Sequence, residues 1–204
     1  MHLRSLIGAA AAALLTVGSA HATTLTGHLT ADDAYSVYLS SSANTLGTLV
    51  SSASGWSDAE TFSTSLSGGT QYLQIVVTNG QVWGGLLGDF SLSDSGYVFA
   101  NGGSSLFTGL SNWTMTDANG LVTPITSAGA NGNSPYPWGK VTGIADQAEW
   151  IWEAGYCQGC TYTFTTALTA TAAVPEPATG ALLAAGLLTV GGLARRQRRA
   201  KDQA

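Results

Sequence analysis

Short alternations of apolar and polar residues run through the middle of the chain. In YSVYLS, apolar Tyr35, Val37 and Leu39 fall on one side of an extended strand, and Ser36 falls on the other. Two further segments, YLQIVVTN and TYTFTTALT, repeat this period of two, with apolar faces at Leu73, Ile75, Val77, Tyr162, Phe164 and Leu168. Gly, Ser, Asn and Asp clusters separate such runs, and no helical period interrupts them. We therefore predict an all-β domain, folded as an antiparallel β-sandwich.

The first segment of the chain departs from this pattern. It has Arg4 near its start, an apolar run from Leu6 to Val17, and then Ala20 and Ala22 at the spacing of an A-x-A cleavage site. This arrangement is typical of a secretory signal peptide. We predict a signal peptide over residues 1–22, which directs the chain to the Sec translocon and across the inner membrane. Signal peptidase would cut after Ala22.

The last segment is also distinct. Residues 178–194 are apolar or small and carry no charge, and a basic tail over 195–204 follows them. A helix of this length spans about 26 Å, close to the ~30 Å hydrocarbon core of a membrane. The charges of the tail favour a cytoplasmic location for it, with the middle domain outside; they begin with Arg195, Arg196, Arg198 and Arg199. A single transmembrane helix is the prediction, and a permanent anchor is one interpretation.

A short proline-containing box precedes this apolar run. It consists of Val174, Pro175, Glu176 and Pro177. The box, the span and the arginines together resemble the PEP-CTERM sorting signal of Gram-negative bacteria. The resemblance implies recognition by exosortase, cleavage near the box after transient anchoring, and release or attachment at the cell surface. It also implies an association with exopolysaccharide and biofilm formation.

The charge of the outer domain, residues 23–173, limits its partners. Ten acidic residues stand there against a single lysine, Lys140, so the net charge is −9. Nucleic acid is excluded as a partner, because binding its phosphates requires clustered Lys and Arg. An acidic surface suits neutral ligands or calcium. Asp32 and Asp33 are candidate calcium ligands, and a turn before a strand is the alternative interpretation of this pair.

Catalytic residues are scarce in the outer domain, and we predict that it is not an enzyme. Its only histidine is His28, and no GxSxG, HExxH or P-loop motif is present. Glu149 and Glu153 lie on one face of a predicted strand, about 13 Å apart at ~3.3 Å per residue. That separation exceeds the ~5–9.5 Å of glycosidase carboxylate pairs.

Two cysteines, Cys157 and Cys160, form a CQGC turn before the last predicted strand. In an exported protein such a pair is most simply a disulfide, which would fix the tip of a hairpin. Free reactive thiols and a metal-binding pair are the alternatives.

Six tryptophans, all in the outer domain, are its main binding resource. Aromatic faces stack on sugar rings, and core packing is the alternative use of such residues. We assign Trp113, Trp150 and Trp152 to the core. The candidates for exposed ligand contacts lie in turns and loops, and they are Trp83, Tyr136 and Trp138.

Residues 25–168 also resemble galactose-binding-like jelly-roll modules of secreted bacterial proteins. The resemblance starts with Asp32, Asp33, Tyr35, Val37, Tyr38 and Leu39, and it continues with Trp56, Gly68, Gly69, Thr70, Thr78, Asn79, Gly84, Gly85, Leu86 and Leu87. The chain departs from the pattern at Ser40–Ser42 and at Gln71. The resemblance implies a jelly-roll sandwich and a sugar ligand.

The sequence thus predicts an exported surface or matrix protein that exosortase sorts through its C-terminal tag. Its outer domain is expected to bind carbohydrate, with exopolysaccharide as the partner. A purely structural matrix protein without a ligand is the alternative, and a secreted glycan hydrolase is a further one.

Overall fold

The computed structural model describes residues 22–171, which form thirteen β-strands and one short 3-10 turn at Asn131–Asn133. The strands are β1 (Thr24–Asp32), β2 (Ala34–Ser40), β3 (Thr48–Ser54), β4 (Glu60–Ser65), β5 (Gln71–Thr78), β6 (Gly85–Leu92), β7 (Tyr97–Phe99), β8 (Ser105–Phe107), β9 (Thr114–Asp117), β10 (Val122–Thr123), β11 (Thr126–Ala130), β12 (Glu149–Trp152) and β13 (Thr161–Ala170). No helix in this part of the chain is long and apolar enough to cross a membrane. The predicted signal segment through His21 and the predicted sorting tail from Val174 lie outside the described residues.

The strands form two sheets. The six-stranded sheet has the order β11-β12-β6-β1-β4, with β8 also paired to β6. The seven-stranded sheet has the order β10-β9-β13-β5-β2-β3, with β7 also paired to β13. Every pairing is antiparallel. The predicted all-β architecture with antiparallel sheets is therefore confirmed.

The main core consists of the inward-facing positions of both sheets. The predicted apolar faces supply much of it: Tyr35, Val37, Leu73, Ile75, Val77, Tyr162, Phe164 and Leu168 are all buried, and Leu39 packs against them partly buried. The six-stranded sheet contributes Leu25, Leu29, Leu86, Phe90 and Ile151. The period of two found in the sequence is thus the period of burial.

A second apolar cluster lies on the other face of the six-stranded sheet. Leu86 belongs to the main core, whereas its neighbour Leu87 belongs to this second cluster. Because successive side chains of a strand point to opposite faces, the two clusters lie on opposite sides of β6. Trp150 faces the second cluster, and its remaining members come from the β11–β12 connection: Trp138, Val141, Ile144 and Ala148. The long connection therefore covers the outer face of the sheet.

A glycine at the centre of the six-stranded sheet makes room for two aromatic rings. Gly27 of β1 pairs with Phe62 of β4 on one side and with Phe90 of β6 on the other. The two rings lie 6.4 Å apart between centroids. A Cβ at position 27 would lie 2.4 Å from Phe62 and 2.8 Å from Phe90, so only glycine fits without displacing a ring.

We predict that Gly27→Ala destabilises the protein by about 1–3 kcal/mol, because the added methyl overpacks this contact. The midpoint of thermal unfolding should fall by several degrees. The matched control is Gly109→Ala, since nothing lies within 4 Å of a Cβ at position 109. Equal midpoints for the two variants would contradict the proposed role of Gly27.

Candidate functional site

A cleft of about 380 Å³ opens among three connections between strands. These are the β5–β6, β11–β12 and β12–β13 connections, and they bring together residues that are far apart in the sequence. Six aromatic side chains line the cleft: Trp83, Tyr136, Trp138, Trp150, Trp152 and Tyr156. It is therefore the candidate ligand site of the described chain.

Three of these rings form an exposed rim. Trp83 is 38% exposed, Tyr136 79% and Tyr156 71%. The Trp83 ring meets both tyrosines edge to face, with centroids 5.7 Å from Tyr136 and 5.0 Å from Tyr156 and interplanar angles of 88° and 79°. The rim thus presents ring faces in more than one direction. Large aromatic surfaces exposed together commonly mark a binding site.

Trp138 has a different place from the one predicted. The expectation of an exposed ring is wrong, because Trp138 is only 7% exposed. Its ring stacks on Trp150, with centroids 4.3 Å apart and planes 13° apart. Its indole N–H donates to the carboxylate of Asp32 at 2.8 Å. Trp138 therefore belongs to the wall of the cleft, and the stack explains why its loop position did not expose it.

Trp152 was expected in the core beside Trp150, and both side chains are buried. They nevertheless join different clusters. Trp152, at the end of β12, packs against Tyr162 and Phe164 of the opposite sheet. Gly84 permits this position, because a Cβ there would lie 2.4 Å from the Trp152 ring. Trp113 is also buried in the main core, as predicted.

The β11–β12 connection that carries Tyr136 is held in place by buried polar contacts. The Asn131 side chain is fully buried, donates to the carbonyls of Val141 and Ile144, and accepts the Val141 N–H. Asp89 accepts the N–H of Ala145 at 2.7 Å and also binds His28 at 2.8 Å. These bonds satisfy the backbone of an irregular segment, so the connection has a defined conformation.

The CQGC turn holds the third rim residue. Cys157 and Cys160 are joined as a disulfide in the turn between β12 and β13, and Tyr156 immediately precedes it. Buried Asn79 donates its side-chain amide to the Cys157 carbonyl at 2.7 Å and its backbone N–H to the Cys160 carbonyl at 2.9 Å. The turn is therefore attached to the β5–β6 connection, which also carries Trp83.

The aspartates predicted as calcium ligands line an adjacent cleft of about 430 Å³, together with Trp56, Val82 and Trp83. Asp32 is buried and accepts the Trp138 N–H, while Asp33 accepts the backbone N–H of Gly80 at 2.7 Å. Calcium binds about six to eight oxygens. No group of three potential metal ligands in residues 22–171 includes either aspartate. Calcium binding by this pair stays a prediction.

Burial raises the pKa of Asp32 to about 6 from its ordinary value of 3.8. A side-chain hydrogen bond with Asp33 and the charge of that neighbour also raise it, and the Trp138 N–H opposes the rise. The Asp32 carboxyl therefore titrates in a pH range where ordinary aspartates are already ionised.

Glu153 lines the aromatic cleft, whereas Glu149 lines a separate one. The two carboxylates therefore do not face one substrate site. A carboxylate oxygen of Glu153 also lies near both sulfurs of the turn, within 4.8 Å. Because those sulfurs form a disulfide, they offer no thiolate to a metal.

The structure thus brings Trp83 and Tyr136 together, buries Trp138 beside them, and adds Tyr156. Sequence reasoning missed Tyr156, although an aromatic residue directly before a disulfide turn was a usable signal. The indole N–H groups of buried Trp150 and Trp152, both in the wall of the cleft, have no hydrogen-bond partner within the described part of the chain. An unpaired buried donor costs about 1–3 kcal/mol. Buried side-chain atoms without a partner also occur away from the cleft, at Tyr35, Gln74, Glu149 and Thr166.

Comparison with known proteins identifies the end of the chain. A family model described as the PEP-CTERM protein-sorting motif matches residues 173–199. The chain carries a PEP-CTERM sorting motif. The match contains the predicted box, the apolar segment 178–194 and the arginines of the basic tail, Arg195, Arg196, Arg198 and Arg199. The chain matches no curated protein and no solved structure.

The PEP-CTERM motif makes exosortase the processing partner of this chain. It also implies an exported protein that is anchored in the membrane and then processed.

We predict that the free energy of unfolding falls as the pH rises from about 4 to about 6. In that window folded Asp32 keeps a proton that the unfolded chain has lost, so its stabilising contribution is complete below pH ~4 and disappears through pH ~6. Asp32→Asn should remove this part of the pH dependence while keeping an oxygen for the Trp138 N–H. Chemical denaturation at several pH values measures the free energy of unfolding of each variant. Asp58→Asn, at an exposed position, is the control. A pH profile unchanged in Asp32→Asn would refute the assignment.

Proposed function

We propose that this chain is an exosortase-processed surface protein whose outer domain binds carbohydrate of the extracellular matrix through the aromatic cleft. The rim of Trp83, Tyr136 and Tyr156 carries this proposal. Sugar rings present C–H faces that stack on exposed aromatic rings, and a surface protein of this sorting class lies next to extracellular polysaccharide. The proposed role is binding and not catalysis.

The sandwich itself supports a jelly-roll, galactose-binding-like architecture as part of this proposal. The chain changes sheets repeatedly: β1 lies in the six-stranded sheet, β2 and β3 in the other, β4 in the first again and β5 in the second. Such alternation is typical of jelly rolls. The fold alone does not specify a ligand, so the proposed function depends on the cleft.

A structural role in the matrix is the second candidate, and an edge strand favours it. Strand β3 forms one edge of the seven-stranded sheet, and its sequence TLVSSAS contains neither proline nor charge. Leu49 is 54% exposed on this strand. Natural proteins usually protect such an edge, so β3 offers a site for strand addition between copies.

We predict that the purified protein binds matrix polysaccharide and that Trp83→Ala or Tyr156→Ala weakens binding at least about tenfold, because each removes a stacking surface. Isothermal titration calorimetry with oligosaccharides of the host matrix measures the affinity of each variant. The control is Phe107→Ala, which removes a ring outside the cleft that is 38% exposed, as Trp83 is. A folded protein that binds no glycan but self-associates with increasing concentration would favour the structural role.

We also predict that the mature protein ends near residues 174–177. Mass spectrometry of the protein from outside the cell should find no peptide containing Arg195–Arg199, whereas a strain without exosortase should retain it at the membrane. An intact tail on the mature protein from the wild-type strain would contradict processing at the box.

A further inference from the structure

The cleft combines exposed aromatic rings with negative charge. Glu153 lines it together with the Trp83, Tyr136 and Tyr156 rings. The adjacent cleft shares Val82 and Trp83 with it and adds the carboxyls of Asp32 and Asp33. Three acidic side chains therefore border one continuous group of aromatic residues.

No cationic side chain of residues 22–171 lines either cleft. Lys140, the single lysine of residues 22–171, contacts Asp146 at 2.6 Å. His28 contacts Asp89 at 2.8 Å in the six-stranded sheet. An anionic sugar entering the cleft would thus meet like charges without a compensating partner, and the net charge of the outer domain would oppose its approach.

The geometry of the rim suits a cation. Trp83 stands edge to face with two tyrosines, at 5.7 and 5.0 Å between centroids, and all three rings are exposed at the rim of the cleft. Ammonium groups bind within about 6 Å of such ring centroids, most strongly to tryptophan, and aromatic cages use this attraction. A neutral sugar needs only one ring face for stacking, whereas the rim offers three aromatic rings.

Glu153 supplies the counter-charge for such a cation. Burial and the neighbouring Glu153 carboxylate raise the pKa of the Tyr162 hydroxyl to about 12. A carboxylate has two acceptor oxygens, so Glu153 can also accept a hydrogen bond from a ligand amine. A carboxylate beside aromatic faces allows a charged amine to make a charge-assisted hydrogen bond and a cation–π contact at the same time.

We propose that the aromatic cleft binds a glycan that carries free amines, with the ammonium of an amino sugar held by the Trp83, Tyr136 and Tyr156 rings and the Glu153 carboxylate. This rests on the proposed carbohydrate-binding function and specifies its ligand class. Deacetylated amino-sugar polymers are the expected ligands. Fully acetylated polymers bind more weakly, and polyuronates do not bind.

The test compares four hexasaccharides that differ in charge: glucosamine, N-acetylglucosamine, glucose and galacturonate oligomers. Binding to the purified full-length chain in detergent is measured by Trp fluorescence and titration at about pH 6, where sugar amines are charged. We expect the glucosamine oligomer to bind about tenfold tighter than its acetylated counterpart. Glu153→Gln should remove this preference, so that the two oligomers bind with similar affinity.

Two controls address general attraction to an acidic protein. Glu60→Gln removes an exposed carboxylate outside the cleft and should keep the preference. A lysine hexapeptide carries ammonium groups without sugar rings, so it should bind more weakly than the glucosamine oligomer. Near-UV circular dichroism checks that each variant is folded.

The outcomes separate this inference from the proposed function. Equal binding of the acetylated and glucosamine oligomers, or loss of the preference in Glu60→Gln, would overturn the amine specificity and leave carbohydrate binding in place. Equally tight binding of the lysine peptide would overturn the assignment of the ligand as an amine-bearing glycan. Tightest binding of the galacturonate oligomer would also overturn it. A folded protein that binds none of the four would overturn both.

Discussion

The stacking of Trp138 on Trp150 is the contact on which the cleft depends. It joins the long β11–β12 connection to β12, and the Trp138 N–H extends it to Asp32 at the end of β1. An aromatic pair of this kind stabilises by about 0.5–1.5 kcal/mol beyond the burial of its surface. Gly85 makes the contact possible, because a Cβ there would lie 2.7 Å from Trp150 and 3.2 Å from Trp138. Without the Trp138–Trp150 stack, the β11–β12 connection would lose its main apolar attachment to the outer face of the sheet.

This attachment gives the site its rigidity. Tyr136 lies two residues before Trp138, so the position of the buried ring determines where the exposed one stands. On the opposite side, Asn79 and the Cys157–Cys160 disulfide attach the turn that carries Tyr156. Loops commonly carry binding residues on a rigid scaffold. Here two such loops are fixed at their bases, and their tips remain exposed. Pre-organised rings lose little conformational entropy when a ligand binds.

The acidic character of the outer domain has a consistent role in this arrangement. A strongly negative surface keeps a secreted protein soluble and repels polyanions, while carboxylates at the cleft favour positively charged or neutral ligands. Asp32 departs from the other acids because burial and its neighbour Asp33 favour its neutral form. Asp32 therefore supports the wall of the cleft through its bond to Trp138, whereas Glu153 lines the cleft and faces a ligand.

The sequence by itself determined strands β2, β5 and β13 with their inward faces, and it determined the sorting motif. Alternation in YLQIVVTN and TYTFTTALT was sufficient because a strand buried on one face must repeat every two residues. The sorting motif was equally readable because its three parts are contiguous. Tertiary structure decided the site. Trp83, Tyr136 and Tyr156 belong to three different connections, and no local pattern specifies their meeting. The burial of Trp138 likewise required the outer face of a sheet that forms only when β6 and β12, far apart in the chain, become neighbours.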